Sequence, residues 1–297
     1  MLALIVIASS LLAAEPDDVP LADPPPLVPT EPLEYERHLA VYKVDLPVEA
    51  TVTVGSLALF VLIDVMIKPS LEGDISCRRP IGNGRCDPAD LSAFDRYPVG
   101  RSKLPSSAGW STFSDAALLS SLLLPIAYLG VESLVLPTDS PVLDFVNDAI
   151  VVVEAVSLTG AMNTVFKFAF RRPRPVRYSD VDVPLSTFDQ ELSVPSGHTA
   201  LVTAATTALT TTFFLRHPDS PARWFVLGGG LALSGLTAFA RIESGNHFPT
   251  DTLVGALLGG FAGFMVPYFH RRLAGLTPVV AYDPIRGSSS YGVAGRW

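Results

Sequence analysis

Lys167, Arg174 and Arg241, two histidines at 198 and 247, Asp251 and a Ser196-Gly197 turn fall in three short blocks in the second half of this 297-residue chain. Cations of this kind can hold the oxygens of a phosphate, and guanidinium suits bidentate contact with them. An imidazole can attack phosphorus or protonate a leaving oxygen, and a carboxylate can fix which imidazole nitrogen is free to do so. The combination points to phosphoryl transfer, in which catalysis is mostly positioning and charge stabilisation.

The blocks read KFAFRRPRP, PSGH and RIESGNHFPTD, with spacings K-x6-R-P, P-S-G-H and R-x5-H-x3-D, each at the end of an apolar segment. In order and spacing they resemble the three-part signature of the type-2 phosphatidic acid phosphatase and vanadium haloperoxidase superfamily. The resemblance runs from about Ser111 to Arg272 and departs from the family pattern at Ala240, where a serine is usual. It implies that His247 is a nucleophile forming a phosphohistidine, that His198 is the general acid for the leaving alkoxide, and that Ser196 donates its hydroxyl to the phosphate. Lys167, Arg174 and Arg241 would be the phosphate clamp, without metal or other cofactor, and vanadate would inhibit as a phosphate mimic.

The residues themselves suggest how this site is built. Pro173 and Pro175 break the chain after Lys167, which lets Lys167 and Arg174 converge on one anion. Pro195 suits the first turn of a helix, whose free N–H groups at Ser196, Gly197 and His198 would face the anion; Gly197 permits close approach. His247 precedes Pro249 at another helix start, with Asp251 one turn on and placed to bond the imidazole. Arg171, Arg172 and Arg177 are assigned to the headgroup region or the surface. His247 is expected on the surface of the site, filling little core.

Six apolar segments must carry these blocks: about Ala50 to Ile63, Ala116 to Val131, Ala149 to Phe166, Thr199 to Leu215, Trp224 to Ala240 and Thr252 to Phe269. The last three run 17 or 18 residues without Lys, Arg, Asp or Glu, close to the length that crosses a bilayer core of about 30 Å. With 48% hydrophobic and 17% charged residues and a mean hydropathy of +0.38, the expected fold is all-α. It is an integral membrane bundle of about six helices with the site at helix ends on one face. Secreted acid phosphatases of the same superfamily make a soluble bundle the alternative. Gly255, Gly259 and Gly263 share one helical face where another helix can approach. The net charge of −8 argues against nucleic acid as a partner; a lipid phosphate and the bilayer are the expected ones.

Residues 1–14 read as a signal peptide, 15–47 as a Pro- and acid-rich leader, 48–275 as the helical domain and 276–297 as a tail, flexible or hairpin-forming. Cys77 and Cys86 can close a small disulfide loop in an oxidising compartment. A cleaved signal and six spans would place the site in the cytoplasm, in agreement with the basic stretch Lys68 to Lys103. If the short first segment does not cross, the site and the cysteine loop face the periplasm of a bacterial inner membrane, the preferred account. Besides a lipid phosphatase, the chain could be a vanadium-dependent haloperoxidase or a non-catalytic binder of lipid phosphates.

Overall fold

The computed structural model describes residues 41–42, 44–70, 77–82, 85–136, 140–180 and 188–271, and the backbone of 277–283 and 288–294. The expected signal peptide and nearly all of the leader lie outside these residues. Six helices follow in order: α1 Leu46–Val61, prolonged by a π-helical turn over Leu62–Ile67, α2 Ser107–Val135, α3 Pro141–Phe170, α4 Gly197–Arg216, α5 Ala222–Glu243 and α6 Pro249–His270. Each contains one of the six apolar segments. All but α4 are long and apolar enough to cross a membrane, and this is a multi-pass membrane protein.

The bundle is helical, and the tail is a hairpin, one of the two forms expected of it. Thr277–Asp283 (β1) and Ser288–Ala294 (β2) pair antiparallel, with Thr277 opposite Ala294 and Asp283 opposite Ser288.

Helix α4 is less apolar than its neighbours because it is rich in threonine, and it sits at the centre, packed by α2, α3, α5 and α6. Its hydroxyls bond back to the helix's own carbonyls: Thr206 to Val202, Thr210 to Thr206, Thr211 to Thr207 and Thr212 to Ala208. Polar side chains thereby occupy a dry core without needing water.

The glycine face of α6 lies directly against α4. A Cβ on Gly255 would stand 2.6 Å from the Ser196 carbonyl oxygen, on Gly259 2.0 Å from that of Ala200, and on Gly263 2.5 Å from that of Ala204. These obstacles are backbone atoms, so the helices must separate if a side chain is added. Gly259→Ala is therefore expected to cost about 3 kcal/mol and to lower the melting temperature in detergent. The matched control is Gly228→Ala, on the open side of α5 with nothing near its Cβ, which should leave the melting temperature unchanged.

Because the helices alternate in direction, the C-terminal ends of α1, α3 and α5 meet the N-terminal ends of α2, α4 and α6 on one face. The disulfide Cys77–Cys86 (Cα–Cα 5.2 Å) is on this face, the Cys86 N–H donating to the Arg177 carbonyl at 2.9 Å. On the opposite face Arg216 is ion-paired with Glu132 and Asp148. There Tyr42, the last part of the leader, is buried with its hydroxyl 2.7 Å from that of Thr212.

Candidate active site

Lys167 begins the last turn of α3, after which Arg171 takes a left-handed conformation (φ 42°) and stops the helix. The chain then runs extended through Arg174, whose guanidinium donates from Nε to the Asp189 carbonyl at 2.9 Å and from Nη1 to the Asn246 carbonyl at 3.3 Å. The first and third blocks are joined at that point. Arg241, in the last turn of α5, bonds the Ser114 hydroxyl of α2 at 3.1 Å through Nη1, while among the described residues its Nε has no hydrogen-bond partner.

Helix α4 begins at Gly197, with Ser196 as its extended N-cap, so Pro195 stands before the helix and not in its first turn. The Ser196 N–H is also committed, donating to the Asp251 carbonyl at 3.0 Å. The orphan N–H groups of the α4 terminus that face the site are thus those from Gly197 onward. A side chain at 197 would press on Lys167 Nζ, 3.6 Å from the would-be Cβ, and on Asn163 Nδ2 at 3.3 Å. That closeness brings the first and second blocks together. Ser196 itself is fully buried, its hydroxyl 3.1 Å from that of Thr199.

Lys167 and Arg241 are each only 6% exposed, and among the described residues neither pairs with a carboxylate. Two buried, unpaired cations beside an open helix N-terminus are costly unless an anion completes them.

His247 lies in the short connection between α5 and α6 and is 2% exposed, so it is a packed residue and not the surface one expected. Its Nδ1 is 2.7 Å from the Ser193 carbonyl oxygen, to which it donates. Asp251 Oδ2 is 3.8 Å from Nδ1. The tautomer is therefore fixed by a backbone carbonyl, and the carboxylate expected to bond the ring acts at one remove. It accepts from the Ser193 hydroxyl at 2.5 Å and the Phe248 N–H at 2.9 Å, holding both sides of the histidine. The result is the one the chemistry needs, a ring with Nε2 unprotonated.

Burial, reinforced by the charges of Arg174, Arg241 and Lys167, pushes the His247 pKa well below its ordinary 6.5. The imidazole is neutral at pH 7 and carries a free lone pair. Below 6.5 the unfolded chain takes up a proton that folded His247 refuses, so this residue makes stability fall as pH falls. Between pH 7 and 5 the melting temperature of wild type should drop more than that of His247→Asn; parallel curves would contradict the assignment.

Several site-bearing residues had no signal in the sequence. His198 Nε2 is 2.7 Å from Oδ1 of Asp115 in α2, an acid outside any motif. Asp189 bridges Lys68 (2.7 Å) and Arg174 (3.0 Å); burial opposes its ionisation, but Arg174 and Lys68 hold its carboxyl well below the usual range. Asp95 pairs with Arg172 at 3.0 Å and accepts from the Thr250 N–H at 3.2 Å.

The assignment of the spare arginines to the surface is corrected in two cases. Arg172 bridges Asp95 and Asp251, the latter at 2.6 Å. Arg177 is 1% exposed against Glu191 at 3.0 Å. Both were drawn inward by acids distant in sequence. Arg171 lies over the Phe188 ring at 5.1 Å.

Residues 148–274, which hold all three blocks, match the PAP2 superfamily. An undecaprenyl-diphosphatase of Sulfolobus acidocaldarius is 26% identical over 157 residues, covering 52% of this chain and 71% of the relative. The crystal structure of a transmembrane PAP2-type phosphatidylglycerolphosphate phosphatase from Bacillus subtilis covers 74% of this chain and 94% of its own, with 19% identity and a TM-score of 0.45.

Proposed function

We propose that the protein is a metal-independent phosphatase of a membrane lipid phosphate or diphosphate, working through a phosphohistidine. The observation that carries this is the pair of buried, unpaired cations, Lys167 and Arg241, beside a neutral His247. The phosphate oxygens are held by Lys167, Arg174, Arg241 and the N–H groups at the start of α4. His247 Nε2 attacks phosphorus in line, and the leaving oxygen takes a proton from His198, which Asp115 orients. Water then cleaves the P–N bond, with His198 as base, and returns the neutral imidazole.

An apolar cavity of about 250 Å³ between α1, α2, α3 and α4, lined by Leu57, Phe60, Leu122, Ile126, Val152 and Leu201, offers room for a hydrocarbon chain. The relatives are an undecaprenyl-diphosphatase and a phosphatidylglycerolphosphate phosphatase, and a lipid phosphate or diphosphate suits a cavity of this kind. The haloperoxidase and silent-binder readings gain no specific observation.

The disulfide favours a site on the oxidising, extracytoplasmic face, since Cys86 bonds to the loop carrying Arg174 and Arg177. The route to this orientation differs from the one read in the sequence. There the first segment stopped short of crossing, whereas Leu46–Ile67 is long enough to span. With the site on that face, the alternating helices put the start of α1 and the end of α6 on the cytoplasmic side. After reduction, a membrane-impermeant maleimide should label Cys77 and Cys86 in intact cells; protection of both would reverse the orientation.

The activity is tested by phosphate release in detergent with EDTA from phosphatidic acid, phosphatidylglycerol phosphate and undecaprenyl diphosphate. Release from at least one, blocked by vanadate, is expected; no release from any would overturn the reading.

A further inference from the structure

At the face opposite the phosphate site, three side chains far apart in sequence converge: Glu49 in the first turn of α1, Glu154 in the middle of α3 and His270 at the end of α6. Their ligand atoms all lie within 4.8 Å of one another. His270 Nε2 is 3.1 Å from Glu49 Oε1 and 3.5 Å from Glu154 Oε2. The other ring nitrogen, Nδ1, is 2.8 Å from the Val266 carbonyl oxygen and donates to it. A histidine held in this way presents the Nε2 lone pair, the arrangement common among metal-bound imidazoles.

In this tautomer the lone pair faces two carboxylates, so something positive must lie between them. Glu154 is 5% exposed, and among the described residues its Oε2 has no hydrogen-bond partner although it points at His270. An imidazolium would balance only one of the two carboxylates, and the other would need a proton of its own. A divalent cation bound by neutral histidine and two carboxylates balances both.

The distances agree with this. Metal–ligand bonds of about 2.1 Å set neighbouring donor atoms about 3.4 Å apart around a tetrahedral ion. The two measured separations, 3.1 and 3.5 Å, bracket that value. One imidazole and two carboxylate oxygens suit zinc and its first-row neighbours.

We propose that Glu49, Glu154 and His270 hold a divalent transition-metal ion, zinc-like in size and ligand preference, that fastens α1 to α3 and α6. The ion is structural. His270 and Asp251 are 19 positions apart on one helix, about 28 Å at about 1.5 Å per residue, so the ion takes no part in phosphate chemistry. Helix α1 otherwise packs chiefly against α3, and a three-helix clasp at its start fixes its N-terminal end.

The test uses the full chain in detergent, purified through a tag without histidines, with metal content measured by mass spectrometry. About one zinc per wild-type chain is expected after dialysis, and near none in Glu154→Gln or His270→Gln. Wild type stripped with EDTA should gain roughly 5–10 °C in Tm at a hundred-fold excess of Zn2+ over Kd, and Glu49→Gln should gain none. His270→Gln should keep its phosphate release, which separates failure of this site from failure of the phosphatase reading. Metal-free wild type whose Tm ignores both Zn2+ and Mn2+ would overturn the proposal, leaving a proton between the three groups. Equal zinc in wild type and variants would overturn it as well.

Discussion

His247→Asn should lower phosphate release by about 10⁴-fold or more, because the reaction loses its proposed nucleophile, while the protein keeps its fold. Asparagine is the informative replacement. Its amide nitrogen can stand where Nδ1 does and donate to the Ser193 carbonyl, so the one hydrogen bond the ring makes at 2.7 Å survives. Only Nε2, the atom proposed to attack phosphorus, disappears. Alanine would instead open a cavity around a residue that is 2% exposed and leave that carbonyl unpaired. A stable His247→Asn protein with wild-type turnover would remove His247 from the mechanism.

The second large effect falls on Asp251, and on stability as well as rate. Its carboxylate is fully buried and accepts from three donors: the Ser193 hydroxyl, the Phe248 N–H and the Arg172 guanidinium. Asparagine can offer one acceptor oxygen, so its NH2 group must oppose at least one of these donors. Arg172 meanwhile loses the nearer of its two ion-pair partners. We expect Asp251→Asn to cost about 3 kcal/mol, a fall in Tm of roughly 6–12 °C, and phosphate release to drop by about 10²–10³-fold as the histidine loses its supports. If Asp251 acted solely by polarising the imidazole, the rate would fall with Tm unchanged. Thermal melts and initial rates on the same preparation separate the two roles.

The helices were legible because a bilayer demands charge-free apolar runs, and these stand out in a chain where Arg216, Arg223, Glu243 and Arg271 flank α4, α5 and α6. The three blocks were legible because spacing within one helix end is local. Long-range partners were not. Asp95, Asp115 and Asp189 belong to segments with no motif, and the fold alone brings them to Arg172, His198 and Arg174. The same holds for Ser193, whose role rests on a backbone carbonyl that any residue could supply. Arg172 and Arg177 looked like headgroup contacts because sequence displays a charge without its partner. The clasp of Glu49, Glu154 and His270 joins three helices across 221 positions, beyond any spacing rule for metal ligands. The glycine stripe of α6 was readable as a contact face, while its partner, α4, emerged from the packing.

The covalent bond proposed between His247 and the phosphate is tested most directly by trapping it. The purified protein would be mixed with a substrate carrying ³²P in the transferred group, quenched in alkali, where a phosphoramidate survives, and digested to locate the label. Alkali-stable, acid-labile label on the peptide holding His247, absent from His247→Asn, is the predicted result. Turnover with no label on any histidine, or label on a peptide that lacks His247, would contradict it.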